Sequence, residues 1–101
     1  MKTKSIIEQS IELKKKIAED SALIESIEKV AELISEAYRK GHRVFFCGNG
    51  GSASDAQHLA AELSGRFYFD RPPLAAEALH VNTSYLTAVA NDYSYDLVFA
   101  R

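Results

Sequence analysis

An α/β layer fold is what this sequence predicts, and three observations carry it. Apolar residues recur at helical spacing through most of the first forty positions. The period then changes at Val44-Phe45-Phe46-Cys47, a short apolar run closed by Gly48. A glycine turn follows and opens into an alanine-rich, unbroken stretch that Gly65 stops. With a second strand and further helix beyond, the order is ααβαβα, which builds layers around a parallel sheet. Two strands are too few for a finished sheet.

Each element has its own signal. Over residues 5–19, Ile6, Ile7, Ile11, Leu13 and Ile17 fall at helical spacing among Lys and Glu, which favour helix. Asp20 or Ser21 can cap a second helix, striped by Ile24, Ile27, Val30, Ala31, Ile34, Ala37 and Tyr38, with Arg39-Lys40 in its last turn and Gly41 beyond. These helices can pair as a hairpin, or the first can dock on another subunit. The run at 44–47 suits a strand covered on both faces. Gly48-Asn49-Gly50-Gly51-Ser52 is the turn, and helix extends to Ser64. Residues 66–73 form an aromatic and proline connector, and 74–81 read as a second strand, placed parallel to the first by a crossover. Asn82, Thr83 or Ser84 can cap a short helix over 85–90, which Asn91-Asp92 breaks, and residues 93–101 begin another helix.

Composition narrows the function. The 101 residues are 47% hydrophobic and 26% charged, the balance of one globular domain. The net charge is -2 and the twelve basic residues are dispersed, which excludes a broad footprint for nucleic acid or an anionic membrane. The tight run Lys14-Lys15-Lys16 reads as a solvated helix face. A lone cysteine, Cys47, excludes an internal disulfide and suits a reducing compartment. Glu8, Gln9 and Ser10 interrupt any signal-peptide core, and no stretch approaches the apolar length of a membrane span, so a cytoplasmic protein is expected. A chain this small buries somewhat over ~60% of its unfolded surface, so a partner adds much to its core and oligomerisation is expected.

The glycine loop is the strongest chemical signal. Glycines admit close approach of a ligand to the backbone, and the N–H groups and dipole of the following helix favour an anion such as phosphate. It is neither a GxGxxG fingerprint nor a P-loop, since no lysine follows. A tight turn capped by Ser52 accounts for the same residues equally well. His58 and Glu62, four apart, project from one helix face with their Cα atoms roughly 6 Å apart along the axis. They can ligate one metal ion, divide proton transfer between them, or form a solvent-exposed pair. Asn91 and Asp92 fall on the carboxyl-terminal side of the sheet, where open α/β folds bind ligands, although from the residues alone a helix stop and cap is the favoured reading. His42, His80 and Cys47 read as structural.

The stretch Cys47-Gly-Asn-Gly-Gly-Ser-Ala-Ser-Asp-Ala-Gln-His-Leu-Ala-Ala-Glu-Leu-Ser-Gly-Arg66 closely resembles the phosphoheptose isomerases of the sugar isomerase (SIS) domain family. Phe67-Tyr68-Phe69-Asp70-Arg71-Pro72, Leu86-Thr87-Ala88-Val89-Ala90-Asn91-Asp92-Tyr93 and Phe99-Ala100-Arg101 continue the match in register. The resemblance implies a three-layer, doubly wound, flavodoxin-like parallel sheet, incomplete at the carboxyl end, with helices over residues 1–41 for oligomer and core packing and the first part of the SIS domain over 42–101. It implies isomerisation of sedoheptulose 7-phosphate to D-glycero-D-manno-heptose 7-phosphate, for bacterial lipopolysaccharide precursors, by a homotetramer. Asn49, Gly50, Gly51, Ser52, Asn91 and Asp92 would contact substrate, His58 and Glu62 would hold zinc, and Glu62 would also bind substrate and handle its proton. Family members run to nearly twice this length, and a serine- and threonine-rich phosphate loop, a glutamine and a histidine that complete the site lie in the part not matched here. A partial, inactive form is therefore expected of these residues alone. Two further SIS readings are a non-enzymatic protein that binds the replication initiator and a sugar-phosphate-sensing regulatory domain. Glu62 favours the isomerase over the first. No helix-turn-helix or basic stripe precedes the loop to favour the second.

Overall fold

A computed structural model describes residues 1–101. Helix α1 spans Lys2–Glu19 and α2 spans Ser21–Arg39. Asp20, extended at φ -86° and ψ 90°, separates them, and its carboxylate accepts the Leu23 N–H at 3.0 Å as an N-cap. Neither helix has a buried residue, so Ile6, Ile7, Ile11, Leu13, Ile27, Val30 and Leu33 stay exposed. Helices α1 and α2 form no extended packed seam with each other.

Contacts divide the chain into two compact units, Met1–Glu36 and Ala37–Arg101. The second carries all the remaining elements. It opens with the end of α2, where Gly41 at φ 77° lets its own N–H reach the Tyr38 carbonyl and the His42 N–H reach that of Ala37. This is the closing motif expected of glycine beyond a helix, and His42 meets the helix end through its backbone.

Strand β1, Val44–Phe46, pairs in parallel with β2, Ala76–Ala78, in the register Val44 to Ala76 and Phe46 to Ala78. Helix α3, Gly51–Ser64, is the crossover between them, as the βαβ reading requires. Its Ala56 and Ala60 lie one turn apart and are buried with Ala78 against Phe46 and Ala76. Small side chains on both surfaces let helix and sheet approach closely, and the core is built there.

Three expectations are corrected. The first strand is covered on one face only: side chains alternate along it, α3 covers Phe46, and Phe45 on the other face is 50% exposed. No second helical layer of this unit packs there. Helix α4 runs Thr83–Asp92, so Asn91 and Asp92 form its last turn and do not break it. Asn82 fixes the start by accepting the Tyr85 N–H at 3.0 Å, and the Tyr93 N–H still reaches the Val89 carbonyl. The helical start expected over residues 93–101 comes later than Tyr93, because Ser94 is fully extended at φ -163° and ψ 162°, and beyond it the Arg101 N–H reaches the Leu97 carbonyl at 3.0 Å. A single 3-10 turn, Tyr95–Leu97, follows, and Val98 beyond it is buried at 2% exposure.

Arg71 ties the connector to α3. Its guanidinium donates to the carbonyls of Glu62 at 3.0 Å, Leu63 at 2.9 Å and Pro72 at 3.2 Å. The carbonyls of a last helical turn have no partners within the helix, and the planar fork reaches two of them together. The Tyr38 hydroxyl donates to the Ala75 carbonyl at 3.0 Å; burial pushes this phenol above its usual value, and the positive charge of Arg71 opposes part of that rise. Arg71→Ala is expected to destabilise the protein by about 1–3 kcal/mol, since half-buried carbonyls lose a charged donor. Arg71→Lys should recover only part, a point charge being unable to fork. Urea unfolding of the three proteins measures both, and an unchanged midpoint for Arg71→Ala would remove the guanidinium from the fold's support.

Candidate functional site

The glycine loop is shaped by two steric facts. A Cβ on Gly48 would stand 2.7 Å from the carbonyl carbon, oxygen and Cβ of Ser52, so only glycine lets the end of β1 pass under the first turn of α3. Gly50, the N-cap residue, sits at φ 57° and ψ -123°, a region other residues rarely enter. Gly50 and Gly51 both face open space where a side chain would project, so the loop's outer surface can be approached closely.

Ser52 lies inside the first turn and makes no side-chain cap, which corrects the reading of it as the helix cap. The Ser52 N–H bonds the Asn49 carbonyl at 3.0 Å, and those of Ala53 and Ser54 bond the Gly50 carbonyl at 3.1 and 3.3 Å. Some donors expected to be free for an anion are thus engaged within the turn. The Tyr95 hydroxyl donates to Asn49 Oδ1 at 2.5 Å, a contact across 46 positions that spacing in the sequence gave no means of anticipating.

His58 and Glu62 do share a face of α3. His58 Nε2 stands 2.9 Å from Glu62 Oε1, with the imidazole 75% exposed and the carboxylate 34% exposed. They line an open groove of about 340 Å³ with Ser54, Gln57 and Ala61. Backbone support for Glu62 comes from Arg71 through the Glu62 carbonyl. No third His, Cys, Asp or Glu joins the pair, so it offers nitrogen and oxygen donors of the type zinc accepts but only two of them.

Asn91 Nδ2 donates to Asp92 Oδ1 at 3.3 Å, and both side chains are exposed at the end of α4. No hydrogen bond joins them to His58, Glu62 or the glycine loop; it is Tyr95, in the turn after α4, whose side chain reaches the loop. His80, past the end of β2, has Nδ1 enclosed without a hydrogen-bond partner, and Cys47 is exposed as a free thiol. No helix is long and apolar enough to cross a membrane.

The sequence pattern of the SIS domain matches residues 6–101. The chain is 58% identical over 96 residues to a phosphoheptose isomerase of Mycobacterium tuberculosis, covering 95% of this chain and 49% of that protein. It is 52% identical to one of Clostridium acetobutylicum, covering 94% and 48%. Among solved structures, a phosphoheptose isomerase from Francisella tularensis superposes with a TM-score of 0.88 at 37% identity, covering 98% of this chain and 51% of that one. One from Neisseria gonorrhoeae gives 0.85 at 39% identity, covering 98% and 50%. The chain spans about half the length of the relatives it matches.

Proposed function

The chain belongs to the SIS domain family, and from that premise we propose that it supplies the amino-terminal half of a phosphoheptose isomerase acting on sedoheptulose 7-phosphate. The observation that carries the reading is the His58–Glu62 pair, 2.9 Å apart on the helix that leaves a glycine loop open to a ligand. The phosphoheptose isomerases matched at 50–58% identity support the substrate class.

Moving a carbonyl between adjacent carbons needs a base to take a carbon-bound proton and return it to the neighbouring carbon. Glu62 suits that role, since its carboxylate is only partly exposed and its backbone is held by Arg71. Asn49, Gly50, Gly51 and Ser52 would seat the sugar phosphate at the start of α3, with Asn91 and Asp92 holding the sugar. His58 and Glu62 would hold zinc, whose chemistry when bound is to polarise the sugar oxygens. Two ligands do not make a zinc site, so the ion and the second proton-transfer group both depend on residues outside 1–101. A cytoplasmic homo-oligomer serving lipopolysaccharide precursors completes the proposal, and the exposed apolar stripes of α1 and α2 support self-association.

The test joins residues 1–101 to the second half of the Mycobacterium tuberculosis relative in one polypeptide. The joined protein is expected to isomerise sedoheptulose 7-phosphate in a coupled aldose-phosphate assay, and residues 1–101 alone are not. His58→Ala in the joined protein should lower both zinc content, read by elemental analysis, and turnover. Unchanged zinc content would remove His58 from the metal's ligands, and a joined, folded protein without turnover would overturn the isomerase reading.

A further inference from the structure

Tyr95 stands outside every role assigned so far, yet its hydroxyl makes a 2.5 Å contact with a residue of the glycine loop. A carboxamide has an accepting end and a donating end, and a phenol can meet either. In the structure the accepting end, Oδ1, faces the phenol, and the hydroxyl donates to it. The Asn49 NH2 group is then the end left for a ligand. The ring that fixes it is itself fixed, because the turn over Tyr95–Leu97 is anchored by Val98, which is almost wholly buried. Beside Asn49, Gly50 and Gly51 leave the space that a ligand would enter.

We propose that Tyr95 is a positioning residue that locks the Asn49 carboxamide with its NH2 group toward the ligand, so that this point of the loop selects a hydrogen-bond acceptor, an oxygen of phosphate or sugar. Without the phenol, the carboxamide can rotate and offer its oxygen to a hydroxyl instead, and the selection is lost. The inference rests on the reading of Asn49 as a substrate residue.

The experiment is a double-mutant cycle in the protein joined to the second half of the relative, followed by 15N–1H NMR. In the ligand-free chain, Tyr95→Phe should shift the Asn49 side-chain NH2 resonances and leave those of Asn82 and Asn91 in place. Titration with sedoheptulose 7-phosphate should give a dissociation constant weakened about three- to tenfold by Tyr95→Phe, as one hydrogen bond's worth of orientation is lost. Asn49→Ala should weaken binding as well, and adding Tyr95→Phe to it should change nothing more. A parallel titration with inorganic phosphate assigns the acceptor: a shift of the Asn49 NH2 by phosphate alone marks a phosphate oxygen, and a shift only by the sugar phosphate marks a sugar oxygen. Equal weakening by Tyr95→Phe in both backgrounds, or none in either while Asn49→Ala weakens binding, overturns the role of Tyr95 alone. Binding untouched by Asn49→Ala, or absent from the unaltered joined protein, overturns the reading of Asn49 and the proposal with it.

Discussion

Glu62→Gln in the joined protein is expected to lower isomerase turnover by a factor of about 100 to 10,000, the usual contribution of a positioned general base. The amide keeps the length and shape of the side chain and removes its basic oxygen. It can still meet His58 Nε2 across the 2.9 Å contact, and the hydrogen bond from Arg71 goes to the Glu62 backbone, which the substitution leaves alone. Circular dichroism and the thermal midpoint should therefore match the parent while the coupled assay loses its signal. Turnover close to the parent's would show that another group takes the proton.

Gly48→Ala is expected to lower stability at least as much as Arg71→Ala. The added methyl would sit 2.7 Å from three atoms of Ser52, two of them backbone carbonyl atoms that no rotamer change can move aside. Either β1 or the first turn of α3 must shift, and strain of this kind destabilises a protein by about 1–3 kcal/mol, occasionally more. Because the shift falls where Gly50 and Gly51 open the loop, affinity for a sugar phosphate should fall alongside the urea midpoint. Wild-type values of both would mean that the loop relaxes freely around the methyl group.

How far these features were legible in the sequence follows from how local their causes are. Helix α3 and its glycine loop could be read because the change from apolar run to glycine to alanine lies within some twenty residues, and each signal acts on its own neighbourhood. The His58–Glu62 pair was legible for the same reason, as four-residue spacing on a helix fixes a shared face. The ends of α4 were harder. Asn91 and Asp92 are ordinary stop signals, but the cap at Asn82 and the hydrogen bond from Tyr93 to Val89 carry the helix through them. The contacts of Arg71 with Glu62 and of Tyr95 with Asn49 join residues 9 and 46 positions apart, and only the folded backbone brings such partners together. The second covering of β1 was expected from the apolar character of Phe45 itself, which records that a surface is to be buried without saying by what.

The parallel pairing of β1 with β2 also sets an order of events as the chain folds. Val44 and Ala76 are partners in register, and closing an open loop of roughly thirty residues to bring them together carries an entropy cost of about 3 kcal/mol. Three residues per strand return too little to offset that by themselves. Once α3 has formed, however, nearly half of the intervening chain is a rigid rod, and its alanine face receives both strands at one surface. A helix formed first would nucleate the sheet, and substitutions that weaken α3 are then expected to slow refolding in stopped-flow measurements as well as to loosen the folded state.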